Sequence, residues 1–490
     1  MDNATAVQLA SLRVELEDKV ESLREAVDTT WTLLTAIVIF FMQAGFSMLE
    51  AGVVRERAVN DVLLKNLIDA TVGAVAWFLL GYMFATSPGG PVIGWPDQLG
   101  DPSVATPFDA HEVVHGADVS KYLMSYMYAI TSATIVSGAI SERTQQRAYI
   151  LSTAVITGFI YPAVSHWLWS ERGWLSGTNK HAALGGALDF AGGGAVHISG
   201  GVLALVAAKI VGPRSGRFDA QSRPVKMRGH SMALTVLGTL LLWIGWIGFN
   251  VGSAPHVTAP RVALMAARVA VRTTFSGSAG ALAALSIARC RHRRGLMSAS
   301  VWNLEVVCNG LLAGLVSITA GAPVVSNWAA FVIGAIGGCL YYATSHAVAW
   351  ALRVDDVVDA FAVHGACGVW SLVAVGLLAD GSTAAATVYG EATADAGRGA
   401  IVGVFYGGDG ALLGAEVVAA LAIAGWCLAL GTLLFGAMRR LSWLRVSADV
   451  ELVGIDIRRV HSRCAPCGTR PHQITMPPSP PLLDSCVLSQ

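Results

Sequence analysis

The chain has 490 residues, of which 54% are hydrophobic and only 13% are charged, and its mean hydropathy is +0.56. Soluble domains carry about 25% charged residues, so this composition excludes an ordinary soluble protein and predicts an integral membrane protein. The formal net charge is zero, which argues against a nucleic-acid partner.

The first segment, residues 1–29, is polar and helix-forming. Its apolar residues recur at spacings of three and four, which predicts an amphipathic helix. These residues are Leu9, Leu12, Leu16, Val20, Leu23 and Val27. Two interpretations are open for this helix: a short coiled coil that assembles copies of the chain, or a helix that lies against the membrane domain.

Eleven apolar runs follow, and each is about as long as a helix that crosses a bilayer. They are residues 31–53, 67–86, 120–140, 148–168, 190–211, 231–252, 270–289, 300–319, 328–351, 358–380 and 410–437. We therefore predict an all-α integral membrane protein with a membrane domain at 30–437. A segment at 438–460 and a Pro- and Ser-rich tail at 461–490, predicted to be disordered, complete the chain.

Basic residues predict the orientation of these spans. They are concentrated in the loops after the first, third, fifth and seventh runs, as with Arg55, Arg143, Arg214 and Arg291. The loop at 87–119 contains acidic residues and no Lys or Arg. By the positive-inside rule, we predict that the amino end lies outside the cell and the carboxyl end in the cytoplasm.

Two runs share an unusual spacing of polar residues. Asp189 precedes His197 by eight positions, and Asp356 precedes His364 by eight. Each Asp lies at the amino end of a predicted span, where a carboxylate caps free backbone N–H groups. The two histidines are five spans apart. Because a unit with an odd number of spans inserts its second copy upside down, we predict two inverted five-helix repeats plus a final helix, with the histidines meeting near the midplane.

Ionisable residues inside a membrane are functional candidates by default. A single buried histidine bonded to a helix carbonyl is the structural alternative, and two histidines at symmetric positions weaken it. For Asp189 and Asp356, capping is the favoured interpretation and attraction of a ligand is secondary. The glycines around His197 and His364 predict close helix packing and a narrow pore.

Longer motifs occur in order along the chain. They include "FFMQAGFSMLEAGVVR", "ITSATIVSGAISERTQ", "GALDFAGGGAVHISGGV", "LLLWIGWIGFNVGS", "VDDVVDAFAVHGACGVW" and "WLRVSADVELVGIDIRR". Together they resemble the ammonium transporter (Amt/Mep/Rh) family, most closely its plant-type members. The resemblance implies an eleven-helix homotrimer with one pore per subunit, no cofactor, no metal and no enzymatic activity.

The resemblance also implies a site for ammonium at the outer end of the pore. Trp169, Ser253 and Tyr128 match the residues of that site, and Tyr128 and Phe249 match two stacked aromatic rings that close the pore below it. This chain departs from the family at Tyr128, where Phe is usual, and at Ser125, where many relatives have Gln.

Further residues match the pore and the tail of the family. His197 and His364 resemble its twin pore histidines, and Asp189 resembles its outer acid. Gly454 and Asp456 match the centre of the regulatory tail segment, which in the family docks on a neighbouring subunit.

Two features of the tail bear on regulation and on metal binding. Arg458 replaces a Thr that plant relatives can phosphorylate, so regulation by phosphorylation at that position is not expected. The motif "CAPC" at Cys464 and Cys467 lacks a second pair of ligands, which argues against a zinc site.

The resemblance thus predicts transport of ammonium or ammonia, and possible carriage of methylammonium, in the plasma membrane. Two alternatives stay open: an ammonium sensor that signals through its tail, and an Rh-type ammonia gas channel. An intramembrane metalloenzyme is disfavoured, because no "HExxH" motif or carboxylate cluster supports it.

Overall fold

The computed structural model describes residues 3–95, 116–254, 256–294, 303–383 and 401–456. Within these ranges the chain is almost entirely helical. In chain order the helices are α1 Asn3–Val53, α2 Glu56–Thr86, α3 Gly116–Ala139, α4 Gln146–Trp169, α5 Gly193–Val211, α6 Met232–Gly252, α7 Val262–Arg293, α8 Leu304–Ile318, α9 Asn327–Trp350, α10 Phe361–Leu378, α11 Ala411–Arg440 and α12 Ala448–Val453.

Eight of these helices are long and apolar enough to cross a membrane, counted over the described ranges: α1, α2, α4, α5, α6, α9, α10 and α11. Helices satisfy their own backbone hydrogen bonds, which is what a spanning segment needs in hydrocarbon. The predicted all-α membrane fold is confirmed. Helices α3, α7 and α8 overlap the predicted third, seventh and eighth runs, and the total of eleven spans stays a prediction.

Three helices extend well beyond their predicted bounds. Helix α2 begins at Glu56, eleven residues before the predicted run at 67–86. Helix α1 is continuous over 51 residues, so no break separates residues 1–29 from the first span. Its early leucines are exposed, and the interpretation that this segment lies against the membrane domain therefore does not hold. Helix α7 begins at Val262, eight residues before the predicted run. It can include Arg272 because that buried guanidinium donates to the carbonyls of Ala322 and Pro323.

The helices pack in an order that repeats in the two halves of the domain. In the first half α1 contacts α3, α2 contacts α4, and α3 contacts α5. In the second half α6 contacts α8, α7 contacts α9, and α8 contacts α10. Helix α1 also packs along α6, and α11 packs against both α5 and α10. This order matches the predicted division into two five-helix units and a final helix.

Helices α5 and α10 contact each other directly through their backbones, at glycine residues. A Cβ atom added to Gly201 of α5 would lie 2.1 Å from the amide nitrogen of Gly365 and 2.4 Å from its Cα. No real Cβ tolerates such distances, so the contact requires glycine at position 201. The residue before Gly365 is His364, and this contact therefore sets the position of one of the two histidines.

A buried group of charges joins the loops at one end of the bundle. Arg214 pairs with Glu142 and with Asp355, and its Nε lies 2.9 Å from Asp355 Oδ2. Arg217 Nε is 3.0 Å from Asp355 Oδ1, and Arg143 donates to the Asp355 carbonyl. Burial opposes the charge on Asp355, but the guanidinium groups of Arg143 and Arg214 outweigh it and hold the pKa of that carboxyl well below its usual range.

The stability of the folded chain is expected to depend on the Asp355 carboxylate, which is the counter-charge of this buried group. Asp355→Asn leaves buried guanidinium groups without their counter-charge, so we expect the free energy of unfolding to fall by about 3–5 kcal/mol near neutral pH. Because the folded pKa is depressed, this contribution is present above the unfolded pKa of about 4 and is lost as the pH falls through the folded value. Thermal unfolding of the detergent-solubilised protein at several pH values measures the difference.

Glu15→Gln is the matched control for that variant. Glu15 forms an exposed i,i+4 pair with Lys19, and its loss is expected to change stability by less than about 1 kcal/mol. Equal effects of Asp355→Asn and Glu15→Gln would contradict the role given to the buried cluster.

The close approach of α5 and α10 is testable in the same assay. Gly201→Ala inserts a methyl group against the Gly365 backbone, and we expect a loss of about 1–3 kcal/mol or more. Gly425→Ala on α11 is the control, because a Cβ there meets nothing within 4 Å. A Gly201→Ala protein as stable as the Gly425→Ala protein would show that the two helices can separate without penalty.

Candidate functional site

The amino end of α5 lies inside the bundle and is capped by Asp189. Its carboxylate accepts hydrogen bonds from the backbone N–H groups of Gly192, Gly194 and Ala195 at 3.1, 2.9 and 2.8 Å. Gly192 has a φ of +95°, a left-handed conformation that glycine adopts without strain. The local sequence thus turns sharply and starts a helix whose first N–H groups are satisfied by one buried acid.

The amino end of α10 has a related arrangement. Asp356 Oδ2 accepts a hydrogen bond from the N–H of Phe361 at 2.8 Å. The other oxygen, Oδ1, is buried and has no hydrogen-bond partner in the part of the chain that the structure describes. Both carboxylates therefore lie at helix amino ends, with one fully bonded and the other only half bonded.

The two histidines meet between these helices. His197 Nδ1 lies 3.2 Å from His364 Nδ1, and their ring centroids are 5.2 Å apart. Both side chains are buried, and His197 Nε2 has no partner among the described residues. Because one Nδ1 must donate and the other accept, one histidine carries its proton on Nδ1 and the other on Nε2. At its two free nitrogens the pair then presents one donor and one acceptor.

A tryptophan that sequence analysis missed supports the pair. The indole of Trp246 stacks against His197 with centroids 4.9 Å apart and planes 15° apart, and it is nearly parallel to His364. Its N–H donates to the hydroxyl of Thr319 at 3.0 Å, which fixes the ring. Trp246 lies one helical turn before Phe249 on α6, and that spacing is the signal by which it could have been found.

The residues of the predicted outer site lie together. The hydroxyl oxygens of Tyr128 and Ser253 are 2.7 Å apart, and Ser253 Oγ donates to the carbonyl of Phe249 at 3.0 Å. The centroids of the Tyr128 and Trp169 rings are 5.7 Å apart. The Trp169 indole donates to the carbonyl of Asp189 at 2.7 Å, which ties this ring to the start of α5.

Tyr128 and Phe249 differ from the expected stack. Their centroids are 4.6 Å apart, but their planes meet at 83°, an edge-to-face contact that the ring quadrupoles favour. Phe249 in turn lies 5.6 Å from His197, centroid to centroid. Trp169, Tyr128, Phe249, His197 and His364 therefore form a continuous row of rings through the domain, called here the ring row.

A small cavity lies beyond the ring row. Its volume is about 20 Å³, and its lining includes His364, Phe46 and Glu50. That space holds about one water-sized molecule. Sequence analysis missed Glu50, whose buried carboxylate pairs with Lys65 and accepts from Asn66. The sequence did contain a signal for this pair, because Glu50 lies in the first apolar run and Lys65 lies just before the second.

A wider cavity of about 750 Å³ opens at the amino end of α10. Asp356, Asp359, Arg214, Arg217 and Lys226 are among the residues that line it. Its charges are mixed, in contrast to the aromatic lining of the ring row.

The tail residues contact the same chain near the start of α2. The carboxylate of Asp456 accepts from the backbone N–H groups of Asn60 and Asp61 at 2.9 and 2.8 Å. Gly454 has a φ of +110°, and a Cβ there would lie 2.7 Å from the Arg57 side chain. Both residues predicted to regulate the protein therefore lie at one contact with the first turns of α2.

Helix α12 makes a second contact, with the end of α5. Glu451 accepts from the N–H of Ser215 at 2.6 Å and from Arg445 at 2.8 Å. Arg445 also donates to the carbonyls of Val211 and Pro213. Arg458, Cys464, Cys467 and the tail at 461–490 lie outside the described residues. In the ranges that the structure covers, no group of three or more His, Cys, Asp or Glu residues is arranged to hold a metal ion.

Comparisons with known proteins identify the family of this chain. A family model described as Ammonium Transporter Family matches residues 30–463. Ammonium transporter 1 member 3 of Solanum lycopersicum is 38% identical over 449 residues, which cover 89% of this chain and 92% of that protein. Ammonium transporter Amt2 of Archaeoglobus fulgidus is 37% identical over 436 residues, covering 88% of this chain and 86% of the relative.

A solved structure described as a Sensor Amt Protein has the same fold. It aligns with a TM-score of 0.76 at 27% identity and covers 89% of this chain and 99% of its own. The family and the two sequence relatives are transporters and not enzymes. A family match over most of the chain, with relatives above 30% identity along nearly their whole length, shows that this chain belongs to the ammonium transporter family.

Proposed function

We propose that the chain transports ammonium along the ring row, with the ion held at Trp169 and Tyr128 and ammonia passing the pair of His197 and His364. The observation that carries this proposal is the contact of the two histidines at 3.2 Å where α5 and α10 meet. Membership of the family accounts for the substrate. The contact supplies polar groups at a buried part of the path.

The outer site suits a small cation. The faces of Trp169 and Tyr128 attract such an ion by about 0.5–2 kcal/mol, more where water is excluded. Ser253 Oγ donates to the Phe249 carbonyl, so in its 2.7 Å contact with Tyr128 it accepts the Tyr128 hydroxyl proton and keeps one lone pair for a ligand. Tyr128 adds a second hydroxyl beside it, which a Phe at this position would lack. The ammonium N–H groups therefore find acceptors as well as ring faces.

Deprotonation follows from the cost of burial. A bare ammonium ion loses its hydration on entering the ring row, while neutral ammonia loses little. Ammonium can give its proton to the free nitrogen of the pair that accepts. The shared proton then passes from one Nδ1 to the other, and the second histidine releases its Nε2 proton. Both tautomers therefore invert, and ammonia is left as the neutral molecule. Potassium carries no proton to release, so the same barrier rejects it.

Asp189 acts on this path indirectly. Its carboxylate is occupied by three backbone N–H groups, so it positions the start of α5 and, through its own carbonyl, the indole of Trp169. Asp356 is the candidate recruitment acid of the opposite end, because it is among the residues that line the wide cavity and its buried Oδ1 has no hydrogen-bond partner among the described residues.

The assembly and location follow the family and the charge pattern. We propose a homotrimer in the plasma membrane, with the amino end outside and the carboxyl end in the cytoplasm. Clustering of basic residues in alternate loops supports that orientation. Tail control is proposed because α12 bridges the start of α2 and the end of α5, the helix that carries His197.

Uptake of labelled methylammonium tests the path. In cells that lack their own ammonium transporters, we expect uptake by the native chain and a fall of at least about tenfold in His364→Ala, equivalent to about 1.4 kcal/mol at the barrier. Excess ammonium should compete and excess potassium should not. His181→Ala, which changes an exposed histidine, is the control, and each variant is checked for correct placement in the membrane.

Either of two results would overturn the proposal. Unchanged uptake in correctly placed His364→Ala would show that the substrate does not pass the histidine pair. Absence of uptake by the native chain, despite binding of ammonium, would favour a sensor.

Truncation tests the tail. Removing residues 445–490 deletes the contacts of Arg445, Glu451 and Asp456, and we expect uptake to change by about fivefold or more, the lower end of typical coupling between sites. Removing only residues 457–490 keeps these contacts and should leave uptake within twofold of the native value. Equal uptake by the native chain and both truncated forms would exclude control through this contact.

A further inference from the structure

The first part of α1 is an amphipathic helix whose apolar side chains have no packing partner among the described residues of this chain. Helix α1 runs without interruption from Asn3 to Val53, and we call residues 3–30 the α1 extension. Eight large apolar side chains of the extension are 40–67% exposed. Val7 and Val14 lie on one side of the helix, and the other six lie together on the opposite side. These six are Leu9, Leu12, Leu16, Val20, Leu23 and Val27, here called the α1 stripe. Such exposure along a helix is typical of an interaction surface.

The α1 stripe has an 11-residue period. Leu9, Leu12 and Leu16 are followed by Val20, Leu23 and Val27 at the same offsets. On a helix all six fall within an arc of about 80°, the narrow seam of a coiled coil rather than the broad face of a core helix. An 11-residue repeat winds helices gently in the right-handed sense, so α1 need not bend to pair along it.

The base of the extension is held firmly. Asp28 accepts hydrogen bonds from the N–H and hydroxyl of Thr258 at 2.9 and 2.8 Å. The Trp31 indole donates to the carbonyl of Ala254 at 3.0 Å. The loop after α6 thus fixes the direction in which α1 leaves the bundle, as a continuation of its first span.

The direction of α1 excludes the membrane surface as the partner of the α1 stripe. At 1.5 Å per residue the extension is about 40 Å long, whereas a layer of lipid headgroups is only about 6 Å thick. A helix continuous with the span therefore carries the α1 stripe away from lipid. An amphipathic helix that binds the interface lies in its plane.

The charges beside the α1 stripe suit self-association. One flank carries Arg13, Glu17 and Arg24, and the other carries Glu15 and Lys19. Each flank has both signs, so two copies do not meet with blocks of like charge. All copies that insert in one orientation also present their α1 helices in parallel.

We propose that the α1 extension pairs along the α1 stripe with the same segment of another copy of this chain, parallel and in register, outside the membrane. This interface is separate from the transport path and does not depend on it. Pairing would remove the exposed apolar side chains from water and stabilise a helix that is marginal alone in water.

Disulfide cross-linking in native membranes tests the pairing. With a mild oxidant, we expect Leu9→Cys and Val20→Cys to form disulfide-linked dimers at least about tenfold faster than Asp18→Cys, because only the seam brings Cα atoms within about 7 Å. Asp18 lies on the opposite face of the same turn. The native chain, treated in parallel, accounts for its exposed Cys290 and Cys339.

A second pair of variants separates pairing from folding. In the Val20→Cys background, Leu16→Glu with Leu23→Glu should reduce cross-linking at least about tenfold by placing charges in the seam. Ser11→Glu with Ser22→Glu adds the same charges on the outer face and should not. Methylammonium uptake is measured in all of them, so loss of transport and loss of pairing are read independently.

Three results would overturn the proposal. Equal cross-linking rates at Val20→Cys and Asp18→Cys would mean random collision. Cross-linking of Val20→Cys to a different protein would identify another partner. Undiminished cross-linking in the Leu16→Glu, Leu23→Glu variant would show that the α1 stripe is not the contact.

Discussion

The backbone contact between Gly201 and Gly365 is the constraint on which the site depends. It lets α5 and α10 begin inside the bundle and cross without side chains between them. His197 and His364 then reach each other across the crossing. Helix amino ends buried in this way expose N–H groups that water cannot satisfy. The carboxylates of Asp189 and Asp356 accept hydrogen bonds from these N–H groups in place of water. The residues that cap the two helices therefore also help to position the histidines.

The ring row shows how exclusion of water and polarity are combined. Edge-to-face packing of Tyr128 on Phe249 closes the space above the histidines, while the Tyr128 hydroxyl is satisfied by Ser253. A hydroxyl at this position is therefore compatible with a closed, largely apolar contact. The proposed path alternates between ring faces, which attract a cation, and imidazole nitrogens, which bond to a neutral molecule.

Charges outside the membrane spans hold the ends of the same helices. The pairing of Arg214 with Glu142 and Asp355 joins the loops after α3, α5 and α9. The tail contacts the loop beside Arg214 through Glu451 and the start of α2 through Asp456. Basic residues that predict orientation therefore also serve as structural ion pairs, and the tail docks close to them. A change in the tail can reach α5 through a short series of direct contacts.

Much of the fold was predictable from the sequence, because spanning helices need long apolar runs and those runs are local. The spacing of Asp189 and His197, repeated at Asp356 and His364, also predicted by local pattern that the two histidines meet and that the domain has two halves. The structure brings these histidines into contact. What local pattern could not decide was contact between distant segments. Trp246 against His197, the edge-to-face angle of Tyr128, and the pairing of Glu50 with Lys65 depend on packing. The continuity of α1 through residue 30 is a further case. An apolar stripe predicts that a helix has a partner, but it does not predict the direction of that helix. The direction is set by the contacts of Asp28 and Trp31 with the loop after α6.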